Sequence, residues 1–114
     1  MLIDDLFNIK NKVVVVSGAS GFIGSEISCL LAEAGCAVAL LYNNNKPNDQ
    51  IIKRLIDSKS NHKIIKCDVT IKEDIKNCKN LIINEFGNID ALINCAGGNH
   101  PKATTSHNNS FFEI

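Results

Sequence analysis

Apolar and polar positions in this chain follow two alternating periods. Val13-Val14-Val15-Val16-Ser17 is a short unbroken apolar run, the pattern of a strand buried on both faces. Beyond Ser17-Gly18-Ala19-Ser20-Gly21-Phe22-Ile23-Gly24 the period lengthens. Ile23, Ile27, Leu30, Leu31 and Ala34 then recur at the spacing of one buried helix face. Gly35 is placed to end that helix as a left-handed cap. Ala37 to Tyr42 is a second buried strand, and Asn43-Asn44-Asn45-Lys46-Pro47-Asn48 a polar loop. Ile51, Ile52, Leu55 and Ile56 mark a second helix, and His62 to Cys67 a third strand.

Thr70-Ile71-Lys72-Glu73 reads as a capping box opening a third helix, with Ile71, Ile75, Cys78, Ile82 and Phe86 on its buried face. Gly87 stops it, and Ile89 to Asn94 forms a fourth strand running into Cys95-Ala96-Gly97-Gly98. Asn99 to Ser110 is polar and irregular, and Phe111-Phe112-Glu113-Ile114 is an abrupt apolar ending. The β-α-β-α-β-α-β alternation implies an α/β fold, a doubly wound parallel sheet in the order 3-2-1-4. Its first two helices should cover one face, with the third on the other. Any ligand belongs at the carboxyl ends of the strands.

The first strand, the glycine turn and the helix together make a phosphate site. The turn presents backbone N–H groups, and the helix N-terminus adds roughly half a positive charge. Glycine is required where a Cβ would block the turn, a pyrophosphate, or the packing of helix on strand. The spacing is Gly-x-x-Gly-x-x-Gly, and no Gly-Lys-Ser/Thr follows, which argues against a nucleoside triphosphatase.

Composition narrows the picture by exclusion. At 114 residues the chain is one domain at most, able to bury roughly two-thirds of its unfolded surface. Twelve basic and twelve acidic residues cancel, so nothing favours nucleic acid or an anionic membrane. No apolar run approaches a membrane span and the N-terminus lacks a signal-peptide layout, so a cytoplasmic protein is expected. Cys29, Cys36, Cys67, Cys78 and Cys95 form no Cys-x-x-Cys pair, and His62, His100 and His107 add no ligand spacing. Structural thiols are expected, with no metal.

Three ordered segments resemble the short-chain dehydrogenase/reductase family: Ser17 to Gly24, Cys67-Asp68-Val69-Thr70, and Asn94-Cys95-Ala96-Gly97. Asn88-Ile89-Asp90-Ala91-Leu92-Ile93-Asn94 is also similar to the family's fourth strand. Phe22 stands where most members have glycine. The glycine spacing, with Ala96 to Thr105, resembles the D-mannonate oxidoreductase (fructuronate reductase-like) branch. The resemblance implies a partial Rossmann-type NAD(P)-binding domain over residues 1–114, ending after the fourth strand.

It also implies roles. Gly18, Ser20, Gly21, Phe22 and Ile23, with Gly24 behind them, would line the pyrophosphate and adjoining ribose. Asp68 would accept from the adenine amino group, with the Val69 amide beside it. Asn94, Ala96 and Gly97 would border the adenosine ribose. Tyr42, Asn43 and Asn44 occupy the place where a carboxylate selects NAD or a cation selects NADP. Neither is present, Lys46 is within reach of a phosphate, and asparagine can hydrogen-bond a ribose, so NAD and NADP both stay open.

The family's chemistry needs a serine and a Tyr-x-x-x-Lys pair. The one tyrosine, in Tyr42-Asn43-Asn44-Asn45-Lys46, matches the spelling. It falls in a loop and not on a helix, where an i, i+4 pair shares a face. The chain is therefore expected to be the cofactor-binding half of an oxidoreductase that interconverts a secondary alcohol and a ketone, D-mannonate/fructuronate among them, without turnover alone. Substrate would bind only a full-length form. The alternatives are a non-catalytic nucleotide-binding or interaction module, or the remnant of a truncated gene. Ser106 or Thr104 beside His100 and His107 would suit a hydrolase, but no nucleophile elbow accompanies them. Missing cover should leave Val13 to Val16 and Ile89 to Ile93 exposed and drive self-association through a sheet face and edge. Arg54, the one arginine, is expected to be a solvated helix residue.

Overall fold

A computed structural model describes residues 3–97, Ser110 and Phe112. Gly98, the polar stretch 99–109 with His100 and His107, and residues 111, 113 and 114 lie outside the described residues. Strands β1 (Val13–Ser17), β2 (Ala37–Tyr42), β3 (His62–Lys66) and β4 (Ala91–Asn94) form one parallel sheet in the order β3-β2-β1-β4. Helices α2 (Phe22–Glu33), α3 (Asp49–Ser58) and α4 (Lys72–Phe86) make the crossovers. A short α1 (Ile3–Leu6) precedes them, which the sequence reading did not anticipate.

Strand periodicity divides the core. Val14, Val16, Val38 and Leu40 face α2 and α3, where they pack with Cys29, Ala32 and Leu55. Val13, Val15, Ala39, Leu41 and Ile65 face α4 and meet Cys78 and Ile82. The helices thus divide between the faces as the alternation implied. Every residue of β1 is buried, contrary to the expectation that Val13 to Val16 would be exposed. The strand lies between β2 and β4 and is covered from both faces, and each such valine contributes about 1.5–3 kcal/mol.

The exposed half of that expectation holds at β4. Leu92 is 58% exposed, and β4 pairs only with β1 among the described strands. Its start is tied down: the Val13 N–H donates to Asp90 Oδ2 (2.8 Å), and the Asp90 N–H donates to the Val13 carbonyl (2.9 Å).

Helix α2 buries a different stripe from the one its large residues mark. Gly24, Ser25, Ser28, Cys29 and Ala32 face the core, whereas Ile23 is 66% and Leu30 55% exposed. Small residues let the helix axis approach the sheet closely, and a bulky residue beneath it would hold the axis off. Ser28 Oγ donates to the Gly24 carbonyl (2.7 Å), so its hydroxyl is satisfied in the core. Arg54 is not a solvated bystander. It bridges α3 to α2 through Glu26 (2.7 Å) and Glu33 (2.5 Å). Gly35 (φ +95°) and Gly87 (φ +88°) end α2 and α4 as expected. Asn48 caps α3, its Oδ1 accepting from the Ile51 N–H (2.9 Å).

Helix α4 begins one step later than a capping box requires. Ile71 is its N-cap with no side-chain bond, and Thr70 turns to Asp68. Of the anticipated α4 face, Cys78 and Ile82 are buried, Phe86 is partly buried, and Ile71 and Ile75 are exposed.

Candidate functional site at the carboxyl ends of the strands

The carboxyl ends of all four strands open into a crevice of about 430 Å³. Gly18, Ser20 and Gly21 form one wall, Tyr42 and Asn43 to Asn45 a second, and Asp68 to Thr70 a third. Cys95, Ala96 and Gly97 close it on the β4 side. The crevice therefore gathers segments far apart in the sequence, and among the described residues Asp68 is its one charged lining residue.

The turn after β1 is built by its glycines. Gly18 has φ +64°, and a Cβ there would lie 2.6 Å from the backbone of Cys95 and Ala96. A Cβ on Gly24 would lie 2.2 Å from the Gly18 carbonyl oxygen. Both glycines are required by chain packing. Gly21 differs: its backbone is extended (φ −72°, ψ 169°) and a Cβ would meet only the Gly18 oxygen, at 3.3 Å. The space in front of it belongs to the crevice. The Gly21 N–H donates to the Gly18 carbonyl (3.1 Å), closing the turn.

Helix α2 starts at this lip without a side-chain cap. Its first i to i−4 bond runs from the Ser25 N–H to the Gly21 carbonyl (2.9 Å). The N–H groups of Phe22, Ile23 and Gly24 precede that bond and lack intrahelical acceptors. Phe22 and Ile23 point their side chains to solvent, and Gly24 is buried behind the turn. None of these three lines the crevice with a side chain, so any contribution comes from their amides and the helix dipole.

The far wall is pinned to β1. Ser17 Oγ accepts from the N–H groups of Cys95 (3.2 Å) and Ala96 (3.1 Å). Asn94 does not join Ala96 and Gly97. Period-two alternation puts it with Leu92 on the α4 side, lining a separate apolar groove of about 340 Å³. Tyr42 ends β2, and the next three residues are bends, so Tyr42 and Lys46 share no helix face. Lys46 is exposed and lies outside the crevice lining.

Asp68 is half-buried and firmly held. Its Oδ1 accepts from Thr70 Oγ1 (2.6 Å) and the Thr70 N–H (2.9 Å), which hold the carboxyl below the usual range. The Asp68 N–H donates to Asp74 Oδ2 (3.1 Å). Thr70, Asn45 and Cys95 were not singled out from the sequence as lining residues. The Asp-x-Thr spacing, an Asx-turn signal, could have found Thr70. All five cysteines are free, and among the described residues no His/Cys/Asp/Glu group could hold a metal. No described helix is long and apolar enough to cross a membrane.

Residues 12–113 match the family model for short chain dehydrogenases. The chain belongs to the short-chain dehydrogenase family. An uncharacterized oxidoreductase of Haemophilus influenzae is 37% identical over 107 residues, covering 94% of this chain and 38% of that protein. A sorbose reductase of Candida albicans is 39% identical over 94 residues, covering 82% and 33%. Among solved structures, the NADH-dependent reductase A1-R′ complexed with NAD superposes with TM-score 0.70 at 26% identity. That match covers 79% of this chain and 38% of the reductase. The chain thus spans about two-fifths or less of the length of the short-chain dehydrogenases it is matched with here. Its parallel sheet is the Rossmann-type sheet of that family, whose members bind NAD(P).

Proposed function

We propose that residues 1–114 form a partial Rossmann domain that binds NAD or NADP across the carboxyl ends of β1 to β4. The observation that carries the reading is Gly21. Of the three turn glycines it is the one with an extended backbone and the mildest Cβ contact, 3.3 Å from the Gly18 oxygen, at an uncapped helix N-terminus facing a crevice. Gly18, Ser20 and Gly21, with the amides of Phe22 and Ile23 in front of Gly24, would hold the pyrophosphate. Asp68 and the Val69 amide would take the adenine, and Ala96 and Gly97 the adenosine ribose. Asn94 contributes through its place in β4, since its side chain faces the other way.

Tyr42 and Asn43 to Asn45 would meet the 2′-position of the ribose. With neither carboxylate nor cation in that wall, NADH and NADPH are expected to bind within about tenfold of each other, about 1.4 kcal/mol. The bound nicotinamide would supply hydride for interconverting a secondary alcohol and a ketone. For the parent activity we propose a sugar-type substrate, D-mannonate/fructuronate being the candidate. The segment Ala96 to Thr105 and the identity to a sorbose reductase support it. The site lies in a chain with no Tyr-x-x-x-Lys on a helix, so the 114 residues are expected to bind cofactor without turnover. A cytoplasmic setting fits such a role.

Fluorescence titration with NADH and NADPH tests this reading. Saturable binding weakened by Gly21→Val and Asp68→Ala supports it, and absence of binding at millimolar cofactor overturns it in favour of a remnant or a protein-interaction module. We also infer self-association through the margin of the sheet. The exposed β4 edge and the apolar groove beside it, bordered by Leu92, Ile89 and Ile75, support a second copy as partner.

A further inference from the structure

We propose that Thr70 and Asp74 are positioning residues that set Asp68 and the Val69 amide for a 6-amino purine, an inference that rests on the dinucleotide reading. Thr70 gives both of its donors to one oxygen, Asp68 Oδ1. That leaves Oδ2 as the carboxylate oxygen free of this pair and available to a ligand donor. The main chain is fixed at the same time. The Asp68 N–H donates to Asp74 Oδ2 (3.1 Å), and the Ile71 N–H donates to the Asp68 carbonyl (3.0 Å). Asp74, in the first turn of α4, thus directs its carboxylate to the crevice wall while α4 itself starts without a side-chain cap.

The chemistry that this wall reads follows from its protonation. Thr70 donates twice to Oδ1, which favours the ionised carboxylate, and an ionised carboxylate accepts hydrogen bonds but cannot donate. It matches the amino group of adenine and opposes the carbonyl oxygen of a 6-oxo purine. A site built around a hydrogen bond rejects the analogue that lacks it, because a charged group loses its partner.

NADH and reduced nicotinamide hypoxanthine dinucleotide, which differ at that position, are the probes, titrated by fluorescence against the 114-residue chain. The wild type is expected to favour NADH by about tenfold or more. Thr70→Val should bring the ratio close to one, and Thr70→Ser should restore it. Asp74→Ala should lower the ratio, and Asp74→Asn, which keeps an acceptor for the Asp68 N–H, should recover it. The Asp74 pair decides the matter if Thr70→Val does not fold. Equal weakening of both probes in Thr70→Val and Asp74→Ala, or an unchanged ratio, would overturn the inference while leaving cofactor binding intact. Absence of NADH and NADPH binding to the wild type would remove the dinucleotide reading itself, and this inference with it.

Discussion

A Cβ built on Gly24 would lie 2.2 Å from the Gly18 carbonyl oxygen, whereas one built on Gly21 would reach that same oxygen only at 3.3 Å. Three residues apart in one turn, these glycines answer to different demands. Gly24, like Gly18, sits on a floor where backbone meets backbone, and its missing side chain is a condition of folding. Gly21 sits at the lip of the crevice, where a Cβ meets one backbone oxygen tightly but without the overlap found at Gly18 and Gly24. The contrast extends to the whole sheet. The centre of the sheet at β1 and β2 is closed on both faces, while the margin at β4 leaves an apolar groove on each face and the exposed Leu92. Positions closed by the fold report on stability, and positions left open report on partners.

Substitutions can break that contrast in order of expected size. Gly24→Val should be the most damaging, costing about 3 kcal/mol or more, read as loss of a cooperative urea transition. Gly18→Ala adds a side chain at φ +64° against the β4 end and should cost about 1–3 kcal/mol in the same assay. Gly21→Val should change stability by about 1 kcal/mol or less while raising the NADH dissociation constant about tenfold or more. A Gly21 variant as unstable as the Gly24 variant would erase the distinction. At the open edge, Leu92→Lys should shift sedimentation toward monomer without lowering the urea midpoint.

The smallest effect concerns a buried thiol on α4. Burial pushes the Cys78 thiol up to about 12, so the folded chain keeps a proton that the unfolded chain releases near the ordinary thiol value. The stability from this group is whole below about pH 9 and is lost as pH rises through about 12. The urea midpoint should therefore decline over that window, and Cys78→Ala should flatten the decline.

The strands were legible because each carries its own signal. Val13 to Ser17 and Ala37 to Tyr42 are apolar runs bounded by Gly, Asn or a polar loop, and both strands fall on those limits. The family match was legible in three segments, and the fold brings parts of all three to one crevice. What failed was direction. Helix periodicity counted large apolar residues: of those marked for the core Leu31 packs against it, but Ile23 and Leu30 are exposed and the buried stripe is the small one from Gly24 to Ala32. Asn94 was grouped with its neighbours in sequence, but it ends β4 and lines the α4-side groove, whereas Ala96 lies beyond the strand and lines the crevice. Thr70 was assigned to the α4 amides, whereas it meets Asp68, the other partner within local reach.

Two-dimensional amide NMR of the 114-residue chain during NADH titration tests the dinucleotide site most directly. Saturable shifts concentrated at Ser20 to Ile23 and at Asp68 and Val69, and absent in Gly21→Val, are the expected result. Saturation without movement of those amides, or no saturation at millimolar NADH and NADPH, would contradict it.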